Sequence, residues 1–124
     1  MRRIVTAALG ILVLAGIVMP AQAAAHKYRS HVEIDGYACV YMRSGCFFNG
    51  HVSAHVAKCE RHRIVKVFDP SGTFLGRDET NRDGDWTVEA EATEPGSYHA
   101  VVKRRKLPSG DVCKRARSLD FVFV

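Results

Sequence analysis

An all-β fold, an antiparallel β-sandwich of about seven short strands, is expected from three features of the chain. The segment 71–103 (SGTFLGRDETNRDGDWTVEAEATEPGSYHAVVK) alternates apolar and polar residues, turns on Gly and Asp, alternates again through Trp86, turns at Pro95-Gly96 and alternates through Tyr98. Turn signals recur along the chain at spacings of about 8–12 residues. After residue 23 no apolar repeat of helical period runs for a useful length. These features point away from a helical enzyme and from a nucleotide-binding α/β domain.

Residues 1–23 read as a secretory signal peptide whose helix precedes the sandwich. Arg2 and Arg3 form a positive start, Ile4 to Val18 is an almost unbroken apolar run, and Pro20 ends it before the small-x-small tripeptide Ala21-Gln22-Ala23. The alternative, a membrane anchor, needs about 20 apolar residues, and this run is shorter. No Cys stands near the cleavage position, which argues against a lipoprotein. Cleavage after Ala23 leaves 101 of the 124 residues and lowers the formal charge from +5 to +3. That is too weak a charge by itself to indicate nucleic acid. The expected organisation is a signal peptide (1–23), an N-terminal segment (24–36) and one sandwich domain (37–124), destined for an extracytoplasmic or secreted location with no membrane span after cleavage.

The four cysteines, Cys39, Cys46, Cys59 and Cys113, all lie in the mature part. An even count in a small exported chain reads as a disulfide framework, for which three pairings exist. We favour Cys39–Cys46, closing a short loop ahead of Phe47-Phe48, and Cys59–Cys113, tying the middle of the chain to the start of the last strand. The longer loop could add roughly 3–4 kcal/mol in the chain-entropy view, which matters to a core this small. A four-thiolate zinc site lacks any Cys-x-x-Cys pair.

Val32 and Ile34 alternate within 26–35 as a first, weak strand, and 37–54 holds two strands around Arg43-Ser44-Gly45. In the second of these, Phe48, Gly50, Val52 and Ala54 share one face, and Asn49, His51, Ser53 and His55 the other. Ile64 to Phe68 is apolar almost throughout, as for a central strand covered on both sides. Asp69-Pro70-Ser71-Gly72 is a turn, Thr73 to Gly76 a short strand, and Asn81-Arg82-Asp83-Gly84 a second turn. Trp86, Val88 and Ala90 then face inward, followed by Tyr98, Ala100 and Val102, with His99 and Lys103 outward. The loop 107–111 (LPSGD) closes a hairpin, and Leu119, Phe121 and Phe123 share the inner face of the last strand.

The order of these features resembles small exported β-sandwiches related to carboxypeptidase regulatory-like and transthyretin-like domains. The resemblance covers residues 46–124. It rests on Phe48-Asn49-Gly50-His51-Val52-Ser53, on Cys59, Arg63, Val65 and Val67, on Gly76, on Asp83-Gly84-x-Trp86, on Pro95-Gly96-x-Tyr98-x-Ala100, and on Cys113 and Ser118. It implies that Asp83-Gly84 turns into a strand whose aromatic enters the core, that Pro95-Gly96 turns into the next strand, and that Cys59 pairs with Cys113. It implies an accessory, carrier or adhesive module rather than an enzyme, and fold more strongly than function.

Several constellations could carry chemistry. Asp78, Glu79, Asn81, Asp83 and Asp85 crowd around Gly84, but a calcium loop's twelve-residue spacing is missing, so turn chemistry is expected there. His51 and His55 would stand about 13 Å apart on an extended strand, at roughly 3.3 Å per residue, too far for one metal. His62 and His99 are expected to face solvent. His26 is different: cleavage after Ala23 makes Ala24-Ala25-His26 the N-terminus, whose amine, amides and imidazole form a square-planar set for Cu(II) or Ni(II). No nucleophile–base pair can be assembled, and no cofactor is called for. The basic runs Lys103-Arg104-Arg105-Lys106 and Lys114-Arg115-x-Arg117 flank the 107–111 loop, so antiparallel pairing places seven cations side by side. Such a patch attracts anionic polymers, lipid headgroups or acidic proteins. It holds no aromatic to stack on bases, so specific nucleic-acid recognition is not expected. The competing explanation is a charged edge that blocks sheet-to-sheet association. A binding or accessory module is thus the favoured reading, with an N-terminal Cu(II)/Ni(II)-binding exported protein or a purely structural envelope protein as the alternatives, and nothing in these patterns sets an oligomeric state.

Overall fold

The computed structural model of the chain describes residues 25–40 and 45–124. The expected signal peptide and most of the Arg43-Ser44-Gly45 turn lie outside the described residues. The architecture is all-β: β1 (Lys27–Tyr28), β2 (Ser30–Val40), β3 (Gly45–Ala54), β4 (Ile64–Phe68), β5 (Phe74–Glu79), β6 (Asp85–Glu89), β7 (Gly96–Val102), β8 (Arg105–Lys106), β9 (Val112–Cys113), β10 (Ala116–Arg117) and β11 (Phe121–Phe123). One 3-10 turn at Ala57–Cys59 separates β3 from β4.

Two antiparallel sheets face each other, one ordered β2-β3-β6 and the other β10-β7-β4-β5, with β11 also pairing β7. Period-2 alternation sends one set of side chains from each sheet into a shared core: Val32, Phe48, Val52, Trp86 and Val88 from the first, Val65, Val67, Tyr98, Ala100 and Val102 from the second. Trp86 lies against Gly50, where any Cβ would overlap the indole and the Glu33 carbonyl; only glycine admits the ring at that point. The Tyr98 hydroxyl donates to the Glu94 carbonyl four residues upstream (2.7 Å), closing a tyrosine corner at the entry to β7. Gly84 turns into β6 at φ +83°, and its carbonyl accepts from the Val52 amide (2.8 Å).

Several expectations need correction. From Ser30 onward the strands anticipated at 26–35 and from 37 are one strand, β2, with Lys27–Tyr28 set apart as β1, so the boundary at 36/37 falls inside a strand. The change of phase between Ile34 and Tyr37 that divides them in sequence is a register shift that leaves Asp35 unpaired and turns both Ile34 and Tyr37 inward. β4 is central in its sheet but covered fully on one face only: Val65 and Val67 are buried, whereas Ile64, Lys66 and Phe68 are half-exposed. Leu119 lies outside β11 and is 92 % exposed, while Phe121 and Phe123 pack on the core. His99 is half-buried against the Phe68 ring (centroids 5.1 Å apart) rather than solvated, and burial with Arg117 and Arg115 nearby lowers its pKa.

A third, small sheet caps one end of the sandwich. β9 pairs antiparallel with β8 and parallel with β1. It covers a second buried cluster of Cys59, Leu107 and Cys113. Both favoured disulfides are present: Cys59–Cys113 joins this cap to the 3-10 turn, and Cys39–Cys46 bridges directly paired positions of β2 and β3.

Candidate functional site

The cap is organised by Arg63, the residue just before β4. Its backbone amide donates to Thr80 Oγ1 (2.9 Å), which fixes the side chain's starting point. Its guanidinium is wholly buried. Nη1 donates to Ser30 Oγ and to the Cys59 carbonyl (both 2.7 Å), and Nη2 donates to the carbonyls of Lys103 (2.8 Å) and Lys114 (3.0 Å). No carboxylate neutralises it among the described residues, and Nε is buried without a partner. Burial, with Arg105 as a like charge, pushes its pKa down to about 10, so the group remains a cation at neutral pH.

The Lys103 and Lys114 carbonyls are the two points at which the chain leaves and re-enters the sandwich. From β7 the chain passes Lys103-Arg104 into β8, and the loop 107–111 is closed by Leu107 N–H to the Asp111 carbonyl (2.8 Å). β9 then leads through Lys114-Arg115 to β10, which pairs β7 again. Arg63 therefore clamps both legs of the hairpin from beneath. The pairing sets Arg105 opposite Cys113 and Lys106 opposite Val112, so the second basic run begins one residue past the paired segment, and its Arg117 pairs with Val101 of β7 rather than with the first run.

Of the seven expected cations, five are displayed: Lys103, Arg104, Lys106, Lys114 and Arg115 are exposed, and none takes part in an ion pair among the described residues. Arg105 is half-buried and donates to the Arg61 carbonyl (2.9 Å), fastening the hairpin to the segment before β4. Arg117 is exposed but faces Asp120 (3.6 Å). The structure adds cations that lie elsewhere in sequence. Lys58 and Arg61 line a groove of 380 Å³ with Arg105 and the hairpin loop, and β1 sets Lys27 opposite Val112. The Cys59–Cys113 pairing was a usable signal for Lys58 and Arg61, since it carries residues 58–61 to the hairpin. No comparable signal pointed to β1. The acid inside the hairpin, Asp111, accepts from the His26 amide (3.0 Å).

That bond bears on the expected N-terminal copper or nickel set. Square-planar capture needs the His26 amide nitrogen as a ligand, whereas in the fold this nitrogen donates to Asp111, and the His26 carbonyl accepts from Val112 (2.8 Å). The two uses of the amide compete. Two of the oxygen-bearing side chains around Gly84 act on the backbone: Asn81 Oδ1 accepts from the Asp83 and Asp85 amides (both 2.9 Å), and Asp78 accepts from the Thr87 amide (2.8 Å).

The remaining histidines separate. β3 ends at Ala54, leaving His55 exposed beyond it. His62, at φ +54°, contacts Glu79 (3.1 Å). His51 sits on the outer face of β3 between two carboxylates of β2, with Nδ1 2.8 Å from Asp35 and Nε2 3.6 Å from Glu33. The Asp35 hydrogen bond, with further attraction from Glu33 and Asp85, raises its pKa. Sequence reasoning weighed His51 against His55 and missed the acids, because strand register alone brings them together. Among the described residues no helix is long and apolar enough to cross a membrane. Compared with protein-family models, curated proteins and solved structures, the chain matches none at significance.

Proposed function

We propose that this chain is an exported, non-catalytic binding module that engages an anionic polymer through the cationic cap built on the β8–β9 hairpin. The observation that carries the proposal is the clamp. A buried arginine holds both legs of the hairpin by their carbonyls, so Lys103, Arg104, Lys114 and Arg115 project from a braced base. A solvated charge run needs no such bracing. Bracing reduces the ordering cost when a repeating anion array is bound, and the added cations of the groove lengthen the track. The two disulfides support export, because such bonds persist in oxidising compartments. The resemblance to carboxypeptidase regulatory-like and transthyretin-like domains is part of the same proposal. It is supported by Asp83-Gly84 leading into β6 with Trp86 in the core, and by Pro95-Gly96 leading into β7 with Tyr98 in the core.

Retention on immobilised heparin tests this reading. The intact protein is expected to elute well above the K103A/R104A/K114A/R115A variant. Its log-affinity should fall more steeply with log salt, by on the order of three units of slope if each lost contact releases about 0.7–0.9 counterion. Equal elution of the two proteins would sink the idea. Binding to anionic vesicles but not to heparin would move the target from a polymer to a lipid surface.

A further inference from the structure

We propose that Glu33, Asp35 and His51 form a binding site for one divalent transition-metal ion of the zinc class, on the outer face of the β2-β3-β6 sheet and independent of the cationic cap. One donor atom from each of the three lies within 4.8 Å of the others. Antiparallel register sets Glu33 directly opposite His51. The register shift after Ile34 leaves Asp35 out of the ladder with its carboxylate at the ring. The set is thus drawn from two strands, with the ladder fixing the origins of Glu33 and His51 and the register shift that of Asp35.

The donor types select the ion. Two carboxylates alone would suit hard cations; an imidazole nitrogen beside them shifts the preference toward zinc-class ions. Three protein ligands with solvent on the open side leave room for water at the fourth position, the arrangement of an open rather than a closed zinc site. Asp85, opposite His51 on β6, adds negative charge from the other flank without belonging to the triple. The two ring nitrogens face different carboxylates, so an ion held at one nitrogen draws in the second carboxylate by a side-chain rotation that exposed Glu33 permits. An imidazole binds metal only in its neutral form, so affinity should rise with pH as His51 deprotonates. The groups facing it are Glu33 and Asp35 on β2 and Asp85 on β6.

Zinc chloride titrated into the disulfide-intact protein, followed by the ring ¹⁵N resonances of each histidine, tests the site directly. His51 is expected to shift to saturation with one equivalent bound there. E33Q/D35N should weaken that binding at least tenfold, while H55N leaves it unchanged. The proposal is overturned by His51 resonances that stay put at millimolar zinc, or by E33Q/D35N weakening the His51 response less than tenfold. Because the acids are exposed, both variants should retain native spectra. Should the double variant unfold, D35N alone is read in its place, with the same tenfold criterion.

Discussion

The sandwich core and the cap are held by different physics. Between the two large sheets, ten buried residues form a cluster of valines around Phe48, Trp86 and Tyr98, and burial of apolar surface is the dominant stabilising term. At the cap the buried apolar cluster is three residues, two of them half of a disulfide. Strands of two residues bury too little surface to persist by packing. Their place is kept by the Cys59–Cys113 bridge and by a charged side chain whose four hydrogen bonds reach four converging chain segments. A face whose side chains are exposed cations cannot also be covered by apolar side chains, so covalent and polar ties replace packing there.

The comparison can be broken most forcefully at its apolar pole. Trp86→Ala is expected to destabilise the whole domain by about 3–5 kcal/mol, as buried aromatic truncations do. Denaturant unfolding should show it as one cooperative shift, and the variant, while folded, should keep its heparin retention. A split transition would mean that core and cap unfold separately.

Arg63→Met is the matching test at the polar pole. It removes the donor for Ser30 Oγ and for three carbonyls, at a net cost of about 3 kcal/mol: the four charged hydrogen bonds contribute roughly 1.5–3 kcal/mol each, and the desolvation of a buried, unneutralised guanidinium offsets most of that sum. Amide exchange should accelerate first in β8 and β9, and heparin elution should fall although no exposed cation has been lost. Exchange that accelerates uniformly would remove the distinction between the two regions.

The smallest expected effect lies on the outer face. His51 has a raised folded-state pKa, so its protonated form favours the fold. That contribution is complete below its ordinary value of 6.5 and is lost as pH rises through the folded value. The stability difference between the wild-type protein and H51N should therefore shrink across that window. It should be modest, because the ring and its acids are solvent-screened. A difference that grows with pH would reverse the sign and discard the ion-pair account.

Much of the core was legible because alternation reports directly on burial. Phe48, Val52, Trp86, Val88, Tyr98, Ala100 and Val102 all follow from period two. Leu119 misled because an apolar residue two positions before a short strand extends its pattern on paper, though the ladder begins only at Phe121. The division at residue 36 misled because an inserted residue changes the phase of alternation and resembles a strand boundary. Five displayed cations of the hairpin were legible, since a hairpin places its flanks together by local geometry. Arg63 was not recognisable as buried: an arginine before an apolar strand has the same local pattern whether it points to water or to four oxygens.

By itself, then, the amino-acid sequence determined the all-β class, the inward faces of the central strands, the basic hairpin and a set of four cysteines whose favoured pairing the fold contains. These depend on contacts near in sequence or on a period that one strand displays alone. Only the tertiary structure decided that Arg63 braces the hairpin, that β1 brings Lys27 beside it, and that Glu33 and Asp35 meet His51. Each of those depends on strand register and chain crossing, where residues far apart are brought within a few ångströms by the pairing of whole sheets. No local pattern encodes such a distance.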